Sequence, residues 1–174
     1  DLAPFFRIAS EMLVRTSALI ATTTLATAVA TRIGTTEVAA HQVINQLWLF
    51  LALVVDALAV AGQALVSRHV GEGEPGEARS AGNRLLQWGV GVGCILAAAI
   101  WLAGSTLPHL FTDDPAVIEA IGQLWPFLAI LQPINGLVFV WDGIYMGAEA
   151  FGYLAKAMVA SALAASVLLL CVHP

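Results

Sequence analysis

Charge is scarce in this sequence. Asp, Glu, Lys and Arg together make up 11% of its 174 residues, against about 25% in an ordinary soluble domain. Basic runs are absent and the net charge is −5. That excludes the electropositive stripe a nucleic acid would need, so no nucleic-acid partner is expected. Cysteine is rare too. Cys94 and Cys171 both lie within apolar stretches, which suits small core residues better than a disulfide or a metal pair. Neither HExxH nor DDxxD occurs, and His41, His69, His109 and His173 sit on separate segments without ligand spacing. No metal, no other cofactor and no enzymatic activity are therefore expected. Asp113-Asp114 lacks a third acidic partner and precedes Pro115, so it reads as a helix N-cap. The first residues also lack the basic region and apolar core of a signal peptide. The first Met is Met12, and Pro174 directly follows an apolar run. The chain therefore reads as a piece of a longer protein.

Apolar residues fill the space that charge vacates. They make up 59% of the chain, and the mean hydropathy is +0.85. The expected fold class is all-α integral membrane, with the lipid bilayer as its solvent. Five spans are expected, over residues 12–31, 40–70, 85–107, 116–147 and 153–173, each at least the about 20 residues that cross a bilayer as a helix and the fourth too long to be straight.

The second span organises the rest. Between Leu47 and Val66 its only strongly polar side chains are Asp56 and Gln63. An ionised carboxylate at the centre of a span costs about 2.5–3.5 kcal/mol on insertion scales, so it needs a partner or water. At the helical period His41, Asn45, Asp56, Gln63 and Ser67 fall on one stripe with Gln42 beside it, while Leu47, Leu51, Val54, Leu58 and Leu65 fall opposite. Such a seam turns away from lipid, toward other helices or a wet cavity. A plainer reading makes Asp56 and Gln63 interhelical hydrogen-bonding groups with no part in transport.

Residues 1–11 read as a leader along the interface, with Phe5, Phe6 and Arg7. In the first span Thr16, Thr23 and Thr27 share a face, read first as close packing through small residues and second as cavity lining. Arg15 lies near the start of that span and is expected to snorkel to the surface. Gly34 is the expected helix stop and Thr36 the expected cap of the next helix. Residues 71–82, GEGEPGEARSAG, read as an exposed loop. In the third span Trp88 and Trp101 are interfacial anchors, and Gly89 with Gly93 permits close helix approach. The fourth span is expected to break at Pro126, Pro133 and Gly136. Asn135, Asp142 and Glu149 recur every seven residues in it, as a second inward seam. Lys156 lies near the entrance of the fifth span.

Basic residues orient the chain. With five spans, Arg7, Arg15, Arg68, Arg79, Arg84 and Lys156 fall on one side and Arg32 on the other, which makes the former side cytoplasmic. Spans two and four then run the same way. They also share a pattern: Gln46 precedes Asp56 by ten residues as Gln132 precedes Asp142, and Gln63-Ala64 corresponds to Glu149-Ala150. Paired elements around one cavity are the reading.

The block AAHQVINQLWLFLALVVDALAVAGQALVSRHVGEGE resembles the multidrug and toxic compound extrusion (MATE) family. The later block QPINGLVFVWDGIYMGAEAFGYLAKAM, with LFTDDP before it, is similar to the DinF-like branch, which includes plant citrate exporters. The resemblance covers nearly the whole chain. It implies the carboxy-terminal six-helix lobe, half of a twelve-helix transporter, with five of its helices present and the amino-terminal lobe as the missing partner. By resemblance the protein is a multi-pass antiporter of the cell (inner) membrane, exporting small organic substrates in exchange for H⁺ or Na⁺. The cavity candidates are Asp56, Asp142, Gln63, Asn45, His41, Gln46, Gln132 and Asn135. Sodium-coupled members tend to be acidic where this chain has Asn135, which favours H⁺. The alternatives are export of citrate or another organic anion, lipid-precursor flipping on a related fold, and a non-transporting membrane scaffold.

Overall fold

A computed structural model describes residues 3–104 and 106–171, with residues 3–5 and 7 as backbone. Asp1, the side chain of Arg7, and His173 at the expected end of the fifth span lie outside the described residues. Among those described, the chain is helix joined by short turns: α1 (Ala3–Ile33), α2 (Thr35–Gly71), α3 (Pro75–Ala103), a 3₁₀ turn (Pro108–Leu110), α4 (Pro115–Ile130), α5 (Gln132–Gly147) and α6 (Phe151–Leu170). α1, α2, α3 and α6 are each long and apolar enough to cross a membrane, and α4 and α5 pass together as a pair bent by 50°.

Several boundaries differ from expectation, each for a local reason. The leader is not separate, because α1 already runs from Ala3. Between α1 and α2 only Gly34 leaves the helix, and it, not Thr36, is the N-cap residue. The Glu37 carboxylate folds back over Gly34, into the place a Cβ would take. Residues 71–82 are not one loop. Pro75 starts α3 instead of breaking it, since a proline in the first turn gives up an N–H that has no helical partner there. Asp114 does cap α4, its Oδ1 accepting from the Ala116 N–H at 2.9 Å.

The fourth span breaks once, at Leu131. Pro133 is in the first turn of α5; it withholds a donor and its ring crowds the preceding turn, so α4 cannot run on through it. Pro126 stays inside α4 and Gly136 inside α5.

Lipid offers no hydrophobic drive between helices, so close backbone packing must hold them together. Glycines supply it. A Cβ on Gly89 would lie 2.6 Å from the Gly136 carbonyl oxygen, and one on Gly93 2.5 Å from that of Gln132. The expected close approach of the third span is therefore real, and its partner is α5. On the side toward α2, Gly143 lies against the Ala59 carbonyl and Gly147 against that of Gln63. Pairing 59 with 143 and 63 with 147 makes α2 and α5 run in parallel, as the charge pattern required.

At the far end a core closes over Leu47, Leu51, Ile100, Ile121, Trp125 and Leu128. There the Trp125 Nε1–H donates to the Ile100 carbonyl at 2.8 Å. The helices form two packing groups: α2, α3, α4 and α5 together, and α1 with α6. The groups meet more sparsely, where α1 touches α2 and α6 touches α5.

Candidate functional site

The glycine face of α5 is consumed by α2 and α3, so the residue before Gly143 must project elsewhere. That residue is Asp142. It points toward α1, where the Arg15 guanidinium pairs with it through Nη2 and Oδ2. Both side chains are mostly enclosed, 23% and 27% exposed. The Arg15 Nε is buried without a hydrogen-bond partner. Arg15 thus does not snorkel to the surface. Because α1 begins at Ala3, Arg15 is more than three turns in, too deep for its stem to reach out cheaply.

Around the pair lies a cavity of about 200 Å³ between the two packing groups, lined by Trp141, Tyr145, Tyr153, Met158 and Ser161 as well as the two charges. The aromatic rings form a stack: Trp141 to Tyr145 at 6.2 Å and Tyr145 to Tyr153 at 4.7 Å between centroids. Ring faces attract cations and cover planar organic groups. A carboxylate, a guanidinium and three aromatic faces can therefore hold an amphipathic organic molecule of either charge. The aromatic stack was missed as part of the site, and Arg15 was expected at the surface and not as the partner of Asp142.

Asp56 sits three residues before the Ala59 crossing, on the exposed side of α2. It does not line the cavity around Asp142. Gln63 is half-buried at the next contact with α5. Asn45 is exposed on α2, and Asn135 is half-buried two helical turns before Asp142.

The remaining candidates fall elsewhere. Gln132 is 1% exposed, and its Nε2 donates to the Leu128 carbonyl at 2.8 Å; it mends the helix break and does not face the cavity. Gln46 borders a separate apolar cavity of about 480 Å³ with Phe50, Ile100 and Phe111. His41, with Nε2 3.5 Å from the Thr27 hydroxyl, belongs to a third cavity of about 420 Å³ with Glu37, Glu119 and Gln123. Glu149 leaves the second seam, since α5 ends at Gly147 and Glu149 turns the chain with φ 58°. Several threonines of α1 bond back to their own helix: the hydroxyls of Thr23, Thr27 and Thr31 donate to carbonyls one turn back at 2.8–3.1 Å.

Comparison with known proteins gives one family. The MatE family model matches residues 12–171. The chain is 38% identical over 160 residues to Protein DETOXIFICATION 44, chloroplastic, of Arabidopsis thaliana, covering 92% of this chain and 31% of that protein. Protein DETOXIFICATION 43 of the same plant is 41% identical over 148 residues, covering 85% of this chain and 28% of its own length. The Multidrug resistance protein MdtK of Pectobacterium atrosepticum is 26% identical over 115 residues, covering 66% and 25%. The chain thus spans no more than 31% of the length of these relatives. No solved structure matches it significantly.

Proposed function

The chain belongs to the MatE family, and from that premise we propose that it is part of a secondary transporter exporting drugs or other organic compounds. The family is one of transporters, not enzymes. In this proposal the five spans are most of one six-helix lobe of the DinF-like branch, in the cell (inner) membrane, and an amino-terminal lobe completes the pore. Export is coupled to an inward cation, H⁺ rather than Na⁺, because Asn135 stands where sodium-coupled members tend to carry an acidic residue.

The observation that carries the reading is the Arg15–Asp142 ion pair inside an aromatic-lined cavity between two helix groups. With Asp142 ionised, Arg15 ties α1 to α5. Protonating Asp142 frees Arg15 and loosens that tie. An organic cation on the Trp141–Tyr145–Tyr153 stack competes with Arg15 and the proton for the same carboxylate, which is the exclusion that antiport requires.

A second reading has its own support. Arg15 places a cation in the cavity, so an organic anion such as citrate can replace Asp142 as its partner. Everted vesicles carrying the intact transporter, assayed in parallel with a cationic dye and citrate, separate the two. The first reading expects Asp142→Asn to cut dye export and flatten its pH dependence. Unchanged dye export with unchanged pH dependence removes Asp142 from coupling, and loss of citrate export alone establishes the anion reading.

A further inference from the structure

We propose that His69, Glu72 and Glu74, at the turn from α2 to α3, form a divalent-cation site suited to Zn²⁺. The backbone presets it. The N–H of Glu72 donates to Arg68 O at 2.9 Å, that of Gly73 to Val70 O at 3.1 Å and that of Glu74 to His69 O at 2.9 Å. Gly73, at φ +75°, supplies the left-handed step that folds the chain back over the helix end. Glu74 thereby returns over His69, although five residues separate them.

The side chains converge on one point. His69 Nδ1 is 3.5 Å from Glu74 Oε2 and 3.7 Å from Glu72 Oε2, and the three ligand atoms lie within 4.8 Å of one another. Arg68 Nε donates to the other oxygen of Glu72, Oε1, at 2.9 Å. That contact holds Oε2 toward His69, as an outer-shell partner orients a ligand. The His69 Nδ1 atom is itself wholly buried and has no hydrogen-bond partner.

Ionised carboxylates only accept hydrogen bonds. His69 Nδ1 and one oxygen from each of Glu72 and Glu74 converge on a point as three ligand atoms. A cation is what this geometry suits. Tetrahedral Zn²⁺ with bonds of about 2.0–2.2 Å puts its ligand atoms about 3.3–3.6 Å apart, close to the two separations from Nδ1. The fourth position stays open to water. One imidazole and two carboxylates are ligands Zn²⁺ accepts. The bound ion would clamp the exit of the helix bearing Asp56 to the entrance of α3. The site stands apart from the transport reading and does not depend on it.

The test titrates Zn²⁺ alone into the purified, tag-free protein in detergent against a chromophoric chelator, with Co²⁺ absorption as a geometric probe. One equivalent of tight binding is expected. It should weaken at least about tenfold in both His69→Ala and Glu74→Gln, survive in His69→Cys, and be untouched in the distant Asp113→Asn. Zn²⁺ should also raise the Tm of the native protein and not that of Glu74→Gln, whose exposed side chain is safe to alter. Absence of saturable binding, or equal affinity in the native, His69→Ala and Glu74→Gln proteins, overturns the site.

Discussion

Two glycines on one helix, two residues apart, should respond to the same substitution with opposite signs. A Cβ on Gly93 would lie 2.5 Å from the Gln132 carbonyl oxygen and 2.6 Å from the Pro133 Cα, where ordinary contact begins at 3.4 Å. Both obstacles are backbone at the start of α5, so neither can rotate away. Gly93→Ala must push α3 from α5 by about 0.9 Å at the contact, or strain both, and overpacking of this kind costs about 1–3 kcal/mol. Gly91 meets nothing within 4 Å. There the alanine adds only helix propensity, worth up to about 1 kcal/mol in favour of folding. The pair of variants should therefore differ by roughly 1–4 kcal/mol, measured as unfolding midpoints in mixed micelles followed by far-ultraviolet circular dichroism. Because Gly91 and Gly93 share a helix, changes in helix content or detergent affinity affect both alike, and the difference isolates the interface. If Gly93→Ala is as stable as the native protein, or Gly91→Ala loses as much, the glycine-sealed α3–α5 contact is wrong.

Three more predictions follow from named contacts. In a double-mutant cycle, Arg15→Met and Asp142→Leu should each destabilise the protein, and the double variant should recover part of the loss; breaking an enclosed pair costs up to about 3–5 kcal/mol and partial exposure brings this toward the lower figure, so strictly additive losses deny the pair. Asp114→Ala removes the oxygen that accepts from the Ala116 N–H and should cost about 1 kcal/mol, with Asp114→Ser retaining most of it; thermal unfolding checks both. Trp125→Phe leaves the Ile100 carbonyl without its indole donor and should cost about 1–3 kcal/mol, seen in the same assay as a lower midpoint, whereas the exposed Trp101→Phe should change little.

The sequence made the spans legible because hydropathy is averaged over many residues, and single errors cancel. Boundaries rest on one or two residues, and there the reading failed where a residue has two opposite uses. Pro75 and Pro133 begin helices, yet a proline reads equally well as a breaker. Arg15 was misplaced for a related reason. Its depth is set by where α1 starts, and the polar residues Arg7, Ser10 and Glu11 masked that start. Asp56 and Asp142 were legible because a carboxylate within a span must be explained. The partner of Asp142 was not, since it comes from a helix 127 residues away in the chain. Gln132 looked like a seam residue by its spacing from Asp142, and only the helix break at Leu131 redirects its amide to a carbonyl of α4.

The division of labour on α5 explains why an ion pair sits where it does. Its glycines commit one face to α2 and α3, and each approach is too close for any side chain to intervene. Polar groups are forced onto the remaining face, which borders the sparser junction with α1 and α6. A carboxylate there, alone against lipid, would be expensive, and Arg15 offsets it from the other packing group. The α5 side of the junction thus carries one charge pair and a few aromatic contacts, while the contacts of α5 with α2 and α3 are held by backbone fitted to backbone. If protonation releases the pair as proposed, the two groups should move as bodies, because a packed interface resists gradual deformation. In the intact transporter a cross-link between α1 and α5 near Arg15 and Asp142 should then stop transport, and one between α3 and α5 near Gly89 and Gly136 should leave transport unchanged. If the second blocks transport as the first does, the moving boundary lies elsewhere.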